Sequence, residues 1–201
     1  LPVNAPKKYW DLYDPKKIEL PENNEFQTNV PNRARHLWGE LRYYKDIPKK
    51  GQVSNKMAKK LIHGYYASVS YVDAQVGKLI KGLDDLGMRE NTTIILVGDH
   101  GWSLSEHGLW AKHSNFEVAL QVPMIISAPG LSENKISNSV AELVDLYPTL
   151  CDLTSSKKPL HLQGNSLISS LQNPDKIYKT TALARWQKGE TLIEDNYFYT
   201  E

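Results

Sequence analysis

The chain has 201 residues, 40% of them hydrophobic, and its 24 basic and 23 acidic side chains leave a formal charge of +1. That composition is globular, long enough for one domain or for a domain piece with an appendage, and its balance excludes a global field that would draw nucleic acid. The lysine pairs at 7–8, 16–17, 49–50 and 59–60 are scattered, so a polyanion partner would need a local patch. The single cysteine, Cys151, excludes an intrachain disulfide framework and a cysteine-rich zinc site. No apolar run reaches the length of a membrane span, and Leu1-Pro2-Val3-Asn4 lacks the basic and apolar regions of a signal peptide, so any targeting segment is expected to be absent or removed.

Residues 1–53 hold six of the eleven prolines between short polar stretches, without sustained periodicity of either kind. This segment is expected to be extended loop, pinned to a larger body by Tyr9, Trp10, Tyr13, Leu37, Trp38, Leu41, Tyr43 and Tyr44. From Ser54 the pattern changes. Met57, Leu61, Tyr65, Val69, Val72, Val76, Leu79, Leu83 and Leu86 recur at three- and four-residue steps and predict one face of a long helix, with Ser54 as N-cap and Gly87 as its stop.

Residues 92–98 follow as a continuous β-branched run, the signature of a strand buried on both faces in a parallel sheet, with its carboxyl end pointing at Asp99. A second run over 122–127 predicts another such strand, and Val140 to Leu153 predicts an amphipathic helix with Leu143, Leu146, Tyr147 and Leu150 on one side. This is α/β organisation. After the loop of residues 160–174, the runs 180–186, 191–193 and 197–199, joined by turn chemistry at Lys188-Gly189 and Asp195-Asn196, predict an antiparallel meander that begins a second, smaller sheet. The expected division is residues 1–53 as loop region, 54–175 as a partial α/β core, and 176–201 as the start of the C-terminal antiparallel subdomain. Two parallel strands cannot make a sheet covered on both faces, so the chain is expected to be part of a larger fold whose core strands need neighbours.

Asp99-His100-Gly101 lies where ligands bind in open α/β sheets, beyond the carboxyl end of a strand. A carboxylate and a neutral imidazole there can reach one divalent cation; the tripeptide alone reads more readily as a turn cap beside a packing histidine. Glu106 and His107 read as loop-fixing side chains, Trp102 and Trp110 as packing, and Lys112 as either a surface lysine or a point charge for a tetrahedral anion.

The stretch 65–73, then Gly98-Asp99-His100-Gly101-Trp102-Ser103-Leu104 and Glu106-His107-Gly108-Leu109-Trp110-Ala111-Lys112, resembles the sulfatase family of the alkaline-phosphatase-like superfamily, nearest its iduronate 2-sulfatase branch and bacterial relatives. Residues 122–130 and 144–150 resemble the family's next strand and helix. The resemblance covers the later portion of such an enzyme. It implies a mixed sheet sandwiched by helices, Asp99 and His100 as ligands of a calcium ion, Lys112 on the sulfate ester as a catalytic and substrate-binding group, and Trp102 lining the sugar pocket.

The family's attacking group is a formylglycine made from cysteine or serine, and Cys151-Asp152-Leu153-Thr154-Ser155 does not match the modification motif. That residue, the paired aspartates that complete the calcium site, and a histidine-rich segment supplying a general acid are all expected from an N-terminal sulfatase segment outside this chain. At His113 the iduronate enzymes carry an aromatic hydroxyl, so this substrate-binding position leaves the sugar open between iduronate, glucuronate and other sulfated units. The implied partner is a sulfated glycan or sugar, and the implied compartment is periplasmic, secreted or lysosome-like. Two other readings stand beside this one, a phosphoesterase of the same superfamily and a non-catalytic glycan-binding module. Asn91-Thr92-Thr93 fits a glycosylation acceptor, a triplet frequent by chance.

Overall fold

Prolines keep the N-terminal stretch in short pieces. The computed structural model describes residues 3–26, 28–34, 39–131, 134–194 and 197–201. In the first 53 residues it places one helical turn, α1 (Lys7–Trp10), and 3-10 turns at Pro15–Lys17, Asn32–Ala34 and Glu40–Tyr43. Asp14 anchors the first of these turns by accepting from the Lys16 N–H at 2.9 Å.

The long helix, α2 (Asn55–Asp85), starts where its cap dictates: the Ser54 side chain accepts from the Met57 N–H at 3.3 Å. It ends where Gly87 takes φ 64°, which lets the Gly87 and Met88 N–H groups reach back to the Asp84 and Leu83 carbonyls.

The chain divides into two units, Leu1–Arg89 with His100–Ala119, and Glu90–Asp99 with Leu120–Glu201. In the first, the body that the N-terminal loop grips is α2 itself. Ile18, Leu41 and Ile47 from the loop, Ala58 and Ile62 from α2, and Trp110 form one buried cluster, flanked by Leu20, Tyr44, Val53, Met57, Leu61 and Leu104. Further along the helix, Tyr9 meets Tyr71, Trp10 meets His63, Tyr13 meets Tyr66, and the Tyr13 hydroxyl lies 2.6 Å from Ser70 Oγ. The buried positions of α2 are Ala58, Ile62, Gly64 and Ala67, while Val69, Val72, Leu79 and Leu86 are exposed. Of the predicted face, Met57 and Leu61 pack against the buried cluster, whereas those four later residues stay exposed, and small residues admit the loop's aromatics. Tyr43 is exposed; Leu37 and Trp38 lie outside the described residues.

Two strands of the first unit, β2 (Ser103–Leu104) and β3 (Trp110–Ala111), pair antiparallel with Ser103 opposite Ala111; β1 (Ile94–Val97) precedes them in the chain and belongs to the second unit. The short helix α3 (Glu117–Leu120) leads to β4 (Met124–Ser127). In the second unit β1 pairs with β4 antiparallel, Ile94 opposite Ser127 and Val97 opposite Met124, correcting the parallel arrangement read from the sequence. A continuous apolar run signals burial on two faces, not strand direction; direction is set by the connection, and no long crossover helix lies between these strands.

Helix α4 (Leu146–Leu153) is entered through a 3-10 turn at Leu143–Asp145, with Glu142 still extended, so the helix begins later than the periodicity suggests. Its buried residues are Pro148, Thr149 and Cys151; of its sequence-predicted apolar face, Leu143, Tyr147 and Leu150 are exposed and Leu146 is half-buried. The buried face is polar for a reason: Asp145 Oδ1 accepts from the Asn165 N–H at 2.8 Å and Thr149 Oγ1 from the Leu167 N–H at 2.8 Å, fastening the loop before α5 (Ile168–Gln172). The C-terminal meander forms as expected from β5 (Thr181–Trp186), β6 (Gly189–Glu194) and β7 (Tyr197–Thr200), in the order β5-β6-β7. Gln187 and Lys188 form the first turn, with Gln187 at φ 53°; the Asp195-Asn196 turn lies outside the described residues.

Candidate functional site

From Ser105 to Ala111 the backbone is forced through unusual conformations. Ser105 (φ 93°), His107 (φ 54°) and Ala111 (φ 69°) are all left-handed without being glycine, alongside Gly108 at φ 66°. Such positions cost energy and persist where surrounding contacts over-determine them. Here the contacts are visible. Glu106 Oε2 accepts a short hydrogen bond from the Leu104 N–H, and the Ser105 N–H donates to the Leu109 carbonyl at 3.0 Å. The His107 N–H donates to Asn23 O at 2.7 Å, and its ring stacks on Phe116 with centroids 4.3 Å apart. Glu106 and His107 are thus loop-fixing groups, as their sequence positions suggest. Two polar atoms here, His107 Nδ1 and Ser114 Oγ, are buried without a hydrogen-bond partner among the described residues.

Lys112 follows the strained Ala111 directly, so the loop's geometry decides where its ammonium group lies. Its Nζ stands 3.9 Å from Glu40 Oε2. Glu40 opens the 3-10 turn whose Leu41 is buried in the same cluster as Trp110, so one core positions both charges. The Tyr44 hydroxyl donates to the other oxygen, Glu40 Oε1, at 3.3 Å. Burial, then the Glu40 charge and this hydrogen bond, raise the Tyr44 pKa above the usual phenol value and keep the hydroxyl a donor. Glu40 carried no signal in the sequence, because it sits in a stretch without periodicity and its partner lies far along the chain.

His100 Nδ1 donates to the Gly101 carbonyl at 2.9 Å. That bond puts the proton on Nδ1 and the lone pair on Nε2, the tautomer a metal ligand needs. Its ring lies 6.0 Å from Trp102, which in turn stacks on Tyr65 of α2 at 6.5 Å and 27°. Burial and the nearby Glu106 charge raise the Tyr65 pKa. Trp102 is only partly buried, and so is His113.

Asp99 is exposed, directly after the residues that close β1. It falls in the second unit, whereas His100, Trp102, Lys112 and His113 fall in the first. Among the described residues no group of three or more His, Cys, Asp or Glu side chains is placed to hold a metal ion. Carboxylate and imidazole are donor types that suit a divalent cation, and further oxygen ligands would have to come from elsewhere. Cys151 is buried within α4, with no role at this loop.

The family model described as Sulfatase matches residues 2–156. Iduronate 2-sulfatase of Homo sapiens is 33% identical over 190 residues, which cover 79% of this chain and 34% of that protein. Among solved structures, a phosphonate monoester hydrolase from Silicibacter pomeroyi superposes with a TM-score of 0.86 at 20% identity, covering 100% of this chain and 45% of its own. A protein solved in complex with its substrate D-glucosamine-2-N,6-O-disulfate superposes with a TM-score of 0.68 at 24% identity, over 74% of this chain and 33% of its own. These two share the fold. The chain spans about a third of the length of the curated relatives it matches. No helix among the described residues is long and apolar enough to cross a membrane. With the family model covering most of its length, the chain belongs to the sulfatase family.

Proposed function

We propose that the complete protein hydrolyses sulfate esters of an acidic glycan, and that this chain supplies one wall of its active site. The observation that carries the reading is Lys112, set by a strained, tightly hydrogen-bonded loop that follows His100 and Trp102 in the chain, inside the family-matched segment. A sulfate ester offers tetrahedrally arranged anionic oxygens, and a lysine ammonium serves one of them as a point charge. Lys112 would bind that oxygen and offset the charge that builds as the S–O bond to the sugar breaks. Trp102, held by its stack on Tyr65, would lie against a sugar face, and His113 would meet the sugar's polar groups. The sugar is a uronate or another sulfated unit, a reading supported by the likeness to iduronate 2-sulfatase.

Asp99 and His100 would be two ligands of a calcium ion, which when bound supplies positive charge beside the sulfate oxygens. The formylglycine that attacks sulfur, and the remaining calcium ligands, would belong to the portion of the protein outside this chain. The test is turnover by the complete protein of matched sulfate and phosphate esters, with and without a calcium chelator. Chelator-sensitive sulfate release supports the reading, and phosphate release without sulfate release sinks it in favour of a phosphoesterase.

A further inference from the structure

Glu40 places a negative charge beside the cation assigned to the substrate's anion. Its chemistry bears on what that site accepts. A charge-assisted contact from Lys112 Nζ to an ester oxygen spans about 2.8 Å. With Glu40 Oε2 3.9 Å from the same nitrogen, a bound ester lies within about 7 Å of the carboxylate. The two side chains are 34% and 23% exposed, so solvent screens this interaction only in part. Tyr44, bonded to Oε1, holds the carboxylate in place from behind, and the buried Leu41 and Trp110 keep its turn against β3.

We propose that Glu40 is a specificity-determining residue that tunes the Lys112 site for monoanionic esters over dianionic ones. A sulfate monoester carries one negative charge near neutral pH, whereas a phosphate monoester carries close to two. Both feel the attraction of Lys112 and the repulsion of Glu40. With Glu40 present its repulsion offsets part of the attraction, so an added charge on the ester gains less than it does with Glu40 neutralised. The inference rests on the proposed binding of substrate at Lys112.

The experiment compares the complete wild-type protein with Glu40→Gln and Glu40→Asp. Glutamine keeps the shape of the side chain and an oxygen for the Tyr44 hydroxyl, and thermal melting checks that each variant is folded. The readouts are kcat/KM for phenyl sulfate and for phenyl phosphate, and the Kd of each ester by calorimetry. Glu40→Gln is expected to raise the phosphate-to-sulfate ratio about tenfold, with Glu40→Asp staying near wild type. An unchanged ratio in folded Glu40→Gln overturns the inference. If the wild type releases no sulfate, the catalytic reading fails by itself, and the ratio of the two Kd values still decides the role of Glu40: a shift upholds it and no shift overturns it.

Discussion

The indole of Trp10 lies so close over Gly64 of α2 that a Cβ at that glycine would stand 2.7 Å from Trp10 Cη2 and 3.0 Å from Val3 Cγ2. The indole is fixed there, because its Nε1–H donates to Ala5 O at 3.1 Å and the His63 ring donates to the Trp10 carbonyl at 2.8 Å. Gly64→Ala should therefore destabilise the protein by about 1–3 kcal/mol, despite the higher helix propensity of alanine. Urea unfolding followed by tryptophan fluorescence checks this. Unchanged or increased stability would mean that the N-terminal loop is not seated on α2 as described.

A second fastening lies in the other unit. Lys179 Nζ reaches Asp145 Oδ2 at 2.8 Å and makes a short contact to Glu142, whose Oε1 in turn accepts from the Leu183 N–H of β5 at 2.9 Å. Asp145 is fully buried, so Asp145→Asn leaves Lys179 without its innermost counter-charge and should cost about 3–5 kcal/mol. Burial alone would lower the Lys179 pKa, but the hydrogen bonds and charges of Asp145 and Glu142 outweigh it, and the net shift is upward from 10.5. A raised folded-state pKa contributes stability that is fully present below the unfolded value and disappears as pH rises through the folded one. Melting temperature should consequently fall above pH 10.5 more steeply in the wild type than in Lys179→Met; parallel curves would contradict the assignment.

Gly164 offers the sharpest steric test, since a Cβ there would lie 2.0 Å from the Val144 carbonyl oxygen. Backbone cannot yield as a flexible side chain can. Gly164→Ala should thus displace the loop that Asp145 and Thr149 hold, and lose more stability than Gly64→Ala in the same urea titration.

Exposed apolar strand residues predict how the isolated 201-residue chain behaves. Leu96 and Ile125 on the β1–β4 pair are 39% and 59% exposed, and Leu183 and Tyr197 of the meander are also uncovered. A two-stranded pair with an open apolar face is a template for further pairing. Size-exclusion chromatography should show concentration-dependent self-association, and a monodisperse monomer at high concentration would refute this.

Legibility in the sequence followed the range of the interactions. Ser54 and Gly87 act within one helical turn, so both ends of α2 could be read from neighbouring residues. The meander was equally local, with the Trp186–Gly189 pair closing on two turn residues. The direction of β4 against β1 was not legible, because the apolar pattern of Ile94–Val97 is the same for either pairing. The buried faces of α2 and α4 were misread in part for a related reason. Gly64, Ala67 and Thr149 bury by fitting a partner from elsewhere in the chain, whereas periodicity counts large side chains. The motif segment names Asp99, His100, Trp102, Lys112 and His113 as candidates, whereas Glu40 is tied to Lys112 only through tertiary structure.

The proposed role of Lys112 as the sulfate-binding cation is tested by kcat/KM for sulfate release by the complete protein and its Lys112→Ala variant on a sulfated uronate oligosaccharide. Removing one charge-stabilising donor of this kind is expected to cost roughly 100- to 1,000-fold, with the variant melting near the wild type because Lys112 is only partly buried. A Lys112→Ala protein that releases sulfate at the wild-type rate would contradict that role.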